Sequence, residues 1–444
     1  MVPQDTDFSE VTMRRKSIYL GLLALIGLSF LISSAMAQSV DTLEIVSESQ
    51  IVRRIVESNL QLSVVEYQTL QLFERSKQVG TLPDPTVGIT SFPYPVFTAE
   101  GSQRAQFQFT QAIPYPGKLA LRSEAKEWEA RASESSEETI KEKLILDGLT
   151  ELSEIKMLIR QRLLIFRYRK VLRDFESVAD TRYRVGTGTQ QAVLKAQLER
   201  NALDARESDL SQKIKAKKRK LAILVDGPVS ISSSVEWEWR HDLRTLSIGL
   251  SEETALLNRP EIDVLEAMNN HASSLTSLAK KDWRPDFKFG VTYFNIGDQA
   301  FPPQASGRDA LAMMVGVTLP IQRGRLKSRL EETHIRQSEI RAQTWWTQRS
   351  IREEFRHVLE TITLLIEQRD LYERALLPQA ETTLQSTISA YTTGEVGFLD
   401  LLDAQRMVFD LSWQFEDVSA RLEKALYSFE KATGTIRSRH YADL

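Results

Sequence analysis

Asp400 and Asp403, in the run Phe398-Leu399-Asp400-Leu401-Leu402-Asp403, are spaced so that a helix presents both carboxylates on one face. Two acids so placed can gather cations. They can equally be solvated acids near a helix N-terminus, where the macrodipole favours negative charge. Other candidates for chemistry fall away. Gly186-Thr187-Gly188 lacks the Gly-Lys-Ser/Thr that completes a phosphate loop. The histidines His241, His271, His334, His357 and His440 are scattered, and His357 with Glu360 has no second ligand pair. Zero cysteines exclude disulfides, cysteine-ligated zinc and thiol catalysis. The basic run Lys213, Lys215, Lys217, Lys218, Arg219 and Lys220 spreads around a helix and reads as a solvated face. No enzyme, cofactor or metal centre is expected.

The elements that must position these residues follow from composition. In 444 residues there are only 19 Gly and 14 Pro, too few for a turn-rich β protein, so helix should dominate. A formal charge of −3 gives no basic excess and no expectation of nucleic acid. Arg14, Arg15 and Lys16 precede an apolar run from Ile18 to Ile32 and then Ala35-Met36-Ala37. That order predicts a secretory signal over 1–37, cleaved after Ala37. The apolar run falls short of the roughly 20 residues a spanning helix needs. Nothing later in the chain reaches 18 consecutive apolar residues, so an exported protein without a transmembrane helix is expected.

The remainder reads twice. Pro83-Asp84-x3-Gly88-x-Thr90-x-Phe92 recurs 202 residues on as Pro285-Asp286-x3-Gly290-x-Thr292-x-Phe294. Ile113-Pro114 with Gly117-Lys118-Leu119 recurs as Leu319-Pro320 with Gly324-Arg325-Leu326, one residue longer. Tyr183-x2-Gly186-x7-Leu194-x-Ala196-Gln197 recurs as Tyr391-x2-Gly394-x7-Leu402-x-Ala404-Gln405, and Gly434 answers Gly227. Three ordered matches imply a duplicated unit. The predicted units cover 38–230 and 250–437, with a linker over 231–249 and a tail over 438–444. Each has a helical lead (about 42–79 and 250–281), a β-hairpin, a very long helix, a turn at Tyr-x2-Gly and another helix. Ile351, Phe355, Val358, Ile362 and Leu365 step by 4, 3, 4 and 3, a coiled-coil seam. Leu152, Ile155, Ile159, Leu163 and Phe166 nearly repeat it. From 118 to 182 a continuous helix would be roughly 100 Å long.

The hairpin strands alternate. Phe287, Phe289, Val291 and Tyr293 share one parity, against Asp286, Lys288, Gly290, Thr292 and Phe294. Leu311, Met313, Val315, Val317 and Leu319 alternate with Ala312, Met314, Gly316 and Thr318. Val87 and Ile89, then Phe107, Phe109 and Ile113, do the same in the first unit. Strands of about 8 to 10 residues with one apolar parity fit an outer-membrane barrel. They fit equally a soluble hairpin packed on helices. Four strands cannot close around a lumen, and open edges in lipid are untenable, so a membrane reading requires an oligomer. Three copies supply twelve strands. The linking segments 93–104 and 295–310 are then the expected extracellular loops. Trp345, Trp346 and Trp413 read as packing, and Trp283, just before a strand, as packing or an interface aromatic.

Taken together, the two Pro-Asp-x3-Gly openings, Gln111-x-Ile113-Pro114-x-Pro116-Gly117-Lys118 and the two Tyr-x2-Gly-x7-Leu-x-Ala-Gln turns resemble the TolC family of outer-membrane efflux channels over essentially the whole mature chain. The Gln-x-Ile-Pro run is similar to channels of heavy-metal efflux pumps. The resemblance implies a mainly α fold with a small β part: a long helical coiled-coil barrel below a trimeric 12-stranded β-barrel, four strands per chain. It implies a homotrimer in outer-membrane lipid with a periplasmic extension, docked to a periplasmic adaptor and an inner-membrane pump. The expected activity is a passive duct exporting metal ions or small toxic molecules. The turns Val185-Gly186-Thr187 and Thr393-Gly394-Glu395 are expected at the far tips, touching the adaptor. The resemblance also makes Asp400 and Asp403 a lumen constriction, six carboxylates in a threefold ring; aligning the two turns puts Ala192 and Lys195 at the equivalent first-unit positions, so three lysines would offset part of that charge. Val396 stands where some relatives carry a latching Arg. The missing acylated Cys departs from many relatives. A soluble periplasmic coiled-coil adaptor is the alternative, with no need for hairpins of apolar outer parity; a secreted hydrolase lacks a site.

Overall fold

The computed structural model describes residues 43–45, 47–231, 238–239, 251–297 and 307–437. The expected signal segment 1–37, most of the linker 231–249, most of the loop 295–310 and the tail 438–444 lie outside these. The first half runs β1 (Leu43–Ile45), α1 (Glu48–Ser58), α2 (Leu60–Val79), β2 (Thr86–Thr98), β3 (Gly101–Ile113), α3 (Lys118–Arg184), α4 (Gln190–Leu224) and β4 (Val229–Ile231). The second half runs α5 (Glu252–Asn258), α6 (Pro260–Lys281), β5 (Asp286–Gly297), β6 (Ala310–Thr318), α7 (Arg323–Leu371), a π-helical turn (Tyr372–Leu376), α8 (Leu377–Thr393) and α9 (Phe398–Ala432). The 67 residues of α3 make a helix about 100 Å long.

Four strands form one antiparallel sheet in the order β2-β3-β5-β6, and β1 pairs in parallel with β4 in a small second sheet. The expected loop over 93–104 is instead mostly strand, with the reversal confined to Ala99 and Glu100. Pro93 and Pro95 offer no N–H to a ladder. They sit in an irregularity of β2, where pairing steps from Ser91–Ala105 to Val96–Gln103. The irregularity leaves both prolines out of the β2–β3 ladder, and a missing N–H is tolerated at such a bulge.

The helix expected to run from Gly324 towards Tyr391 is interrupted by the π-helical turn Tyr372–Leu376. Pro378 follows at once; its ring and missing N–H cannot continue the regular ladder, and a widened turn absorbs the mismatch.

The second-unit seam is seen: Ile351, Phe355, Val358, Ile362 and Leu365 are all buried, the last four in one core with Val418, Leu422 and Phe429 of α9. In the first unit the stripe is corrected. Leu152 and Ile155 are buried, but Leu163 and Phe166 are 50% and 66% exposed. The buried heptad positions are Leu158, Ile165, Leu172 and Ala179, with Gln161 and Tyr168 between them. Gln161 hid this stripe from a count of apolar residues alone.

Deep charges join the halves. Lys156 of α3 reaches Glu423 of α9 at 2.7 Å, and Ser153 donates to the same carboxylate at 2.6 Å. Trp239 Nε1 donates to Glu416 at 2.7 Å, while its ring lies 4.5 Å from the Lys156 ammonium.

Candidate functional site: the uncovered sheet and the far helix turns

The sheet carries opposite chemistry on its two faces. Register places Ile89, Phe107, Tyr293 and Leu311 in one row across all four strands, and Val87, Phe109, Val291 and Met313 in the next. These eight side chains are between 40% and 81% exposed, so no part of the described chain covers them. The alternate rows are small or mostly polar: Thr90, Gln106, Phe294 and Ala310, then Gly88, Gln108, Thr292 and Ala312. The soluble alternative required helices packed on the apolar face, and among the described residues none packs there. No helix among the described residues is long and apolar enough to cross a membrane.

At the foot of the sheet two sequence motifs meet. Asp286 Oδ1 accepts from the Tyr115 backbone N–H and from Lys118 Nζ, each at 2.8 Å. Lys118 is 3% exposed and also lies 3.8 Å from Asp282. Its ammonium further donates to the Arg284 carbonyl at 3.1 Å. Burial is tolerable because three partners replace its hydration. Gly117, just before it, holds φ +84° beside Lys281, whose Nζ a Cβ would meet at 2.1 Å. In the sequence the Pro-Asp and Gly-Lys motifs served as markers of duplication and of resemblance, and that one binds the other was missed. The opposite charges of the two repeated motifs were the available signal.

The opposite end is built from helix turns. Thr187 N donates to the Arg182 carbonyl and Glu395 N to the Ala390 carbonyl, each at 2.9 Å. Gly186 and Gly394 carry φ +78° and +84°. Both turns are therefore the same six-to-one cap closed by a left-handed glycine. The structure brings them together: Arg182 lies 4.1 Å from the Tyr391 ring centroid and donates to the Tyr391 carbonyl at 3.4 Å. Val185, Gly186, Thr187, Thr393, Gly394 and Glu395 are all exposed.

Asp400 and Asp403 stand exposed in the opening turns of α9. Asp400 Oδ2 accepts the Gly397 N–H at 2.8 Å, satisfying one donor at the helix start. Lys195 is half-buried near the start of α4, where Ala192 and Ala196 share an apolar core with Phe398, Leu401 and Leu402. One turn further on, Arg406 lies 3.7 Å from Glu199. The fold thus gathers Lys195 and both acids at one end, with no ion pair between lysine and acid among the described residues. Val396 packs on the same core. Among the described residues no group of three or more His, Asp or Glu stands together as a metal site.

The model of the outer membrane efflux protein family matches residues 253–435. Among solved structures the chain is similar to CusC, with TM-score 0.74 and 16% identity over 88% of this chain and 93% of that one. It is similar to the outer membrane protein VceC of Vibrio cholerae, with TM-score 0.71 and 18% identity over 87% and 96%. It is similar to the CmeC outer membrane channel of Campylobacter jejuni, with TM-score 0.70 and 13% identity over 90% of each chain. Identities this low speak for the fold alone. No curated protein sequence matches the chain. The second half of the chain, residues 253–435, thus matches the outer membrane efflux protein family, and the chain over most of its length has the TolC-like fold.

Proposed function

We propose that this chain is the outer-membrane duct of a tripartite efflux pump: a passive homotrimer that passes metal ions or small toxic molecules from the periplasm or an inner-membrane pump to the exterior. The observation that carries the reading is the sheet, apolar and uncovered by the described residues on one face, small or mostly polar on the other, and continued by long helices, of which α3 alone is about 100 Å long. A sheet of that kind is stable in lipid only when closed, and three copies give twelve strands. The polar face then lines a wet lumen. Val185 to Thr187 and Thr393 to Glu395, exposed at the far end, meet the adaptor. Asp400 and Asp403 with Lys195 form the entrance; the supporting observation is their convergence at one end. The chain supplies passage, and energy and choice of cargo belong to the pump.

Membrane fractionation of cells expressing the full chain tests this. The expected result is an outer-membrane protein, resistant to carbonate washing, that runs as an oligomer in unheated SDS and as a monomer after boiling. Release by carbonate, as a monomer, would overturn the proposal.

A further inference from the structure

The duplication permits a deduction about an edge the single chain leaves open. Between the units, first strands are offset by 202 residues (Asp84 to Asp286) and second strands by 206 (Ile113 to Leu319). Applied to the first hairpin, where Val87 faces Phe109 and Ile89 faces Phe107, these offsets give Phe289 facing Val315 and Val291 facing Met313. Those are the pairs observed in the second hairpin. The two hairpins therefore correspond residue by residue, and the joint between them can be carried to the next joint around a ring. Inside the chain β3 meets β5 with Phe109 opposite Val291. The corresponding residues are Val315 on β6 and Ile89 on β2, the two outer strands. Both point to the apolar face, so the deduced pairing preserves parity, which a slip of one residue would destroy.

The clasp at the foot of the sheet carries over too. Lys118 and Asp286 correspond to Arg325 and Asp84, again opposite charges. Both are exposed, and among the described residues neither makes an ion pair or side-chain hydrogen bond. The helices agree. α3 packs on α6 across the internal joint; the corresponding partners, α7 and α2 of the next copy, leave Trp345, Trp346, Leu60, Val64 and Tyr67 exposed. One feature differs: Gly80 stands where Asp282 would be, so the boundary has a single acid. The guanidinium of Arg325, able to bind one carboxylate with two parallel hydrogen bonds, suits it.

We propose that copies of this chain join head to tail, β6 of one pairing with β2 of the next with Val315 opposite Ile89, and Arg325 clasping Asp84 across the boundary. The proposal rests on the channel reading and adds the register and ion pair that close the ring. Such a contact is heterologous, and rotation closes it.

A chain without cysteine lets this be read directly. Residues directly opposite in a sheet lie about 5 Å apart, within disulfide reach, while a two-residue slip adds about 6 Å. Within one chain β2 and β6 are three strand spacings apart, about 14 Å, which excludes an internal bond. Ile89→Cys with Val315→Cys, oxidised in outer membranes and boiled without reductant, should give dimer and trimer bands. Ile89→Cys paired with Met313→Cys or Val317→Cys should give at least tenfold less. A slipped pair that links better, or no linking in an oligomer intact before boiling, overturns the register. Absence of any oligomer in the unmodified protein overturns the channel reading itself. For the clasp, Asp84→Arg should lower the temperature at which the oligomer dissociates in SDS, and Asp84→Arg with Arg325→Asp should restore it. An unchanged single variant, or a double variant no better than the single, refutes the clasp.

Discussion

Glu142 sits wholly buried in α3, with Arg437 Nε 3.0 Å from its Oε1. Neither carboxylate oxygen has an aligned hydrogen-bond partner. Burial therefore outweighs the attraction of Arg437, and the carboxyl is pushed from 4.5 up to about 7. A carboxyl whose folded value is raised holds its proton longer in the native state, so stability falls as pH rises from about 4.5 to about 7. At 1.36 kcal/mol per tenfold change in proton affinity, the displacement corresponds to about 3 kcal/mol at pH 8. Glu142→Gln removes the charge and keeps the shape. The variant should be more stable than the wild type by up to about 3 kcal/mol at pH 8, with most of that difference gone by pH 5. Thermal melting followed by circular dichroism across this range measures it. A variant less stable than the wild type at pH 8 would refute the reasoning, because it would mean that the ion pair with Arg437 outweighs burial. Parallel pH profiles would refute it as well.

Three further outcomes are expected. If Asp400 and Asp403 form an acidic ring, divalent or trivalent cations added from the periplasmic side should block conductance in a planar bilayer, and Asp400→Ala with Asp403→Ala should relieve the block; an unchanged block removes the ring. A Cβ at Gly186 or Gly394 would meet no atom within 4 Å, so Gly186→Val with Gly394→Val costs chiefly left-handed backbone strain, about 1–2 kcal/mol each. Export should be lost with the oligomer intact, and loss of the oligomer would make these glycines purely structural. Lys156→Met removes the ammonium that pairs at 2.7 Å with Glu423, 1% exposed, and should cost about 3–5 kcal/mol in thermal unfolding, whereas Lys156→Met with Glu423→Leu should recover much of it; no recovery means the charges are not what couples α3 to α9.

What the amino-acid sequence determined by itself was the part encoded in short, repeating periods. Alternation over Phe287 to Tyr293 and Leu311 to Leu319 predicted strands and their apolar face, because side chains on a strand alternate whatever lies nearby. The Gly186 and Gly394 turns were legible for the same reason: only a residue without Cβ closes that cap cheaply. The duplication made one half explain the other. Contacts between distant segments were decided by the tertiary structure. That Asp286 takes Lys118, 168 residues away, depends on β3 and β5 lying side by side, which no local pattern states. The stripe through Gln161 won over the one through Leu163 and Phe166 because α3 meets its partners along that face. Pro93 and Pro95 remain in a strand because the pairing of β2 with β3 skips from Ser91 to Val96, so that ladder asks no N–H of either proline. Asp400 spends one oxygen on the Gly397 N–H, since the start of a helix leaves its first donors unpaired and the nearest carboxylate takes one.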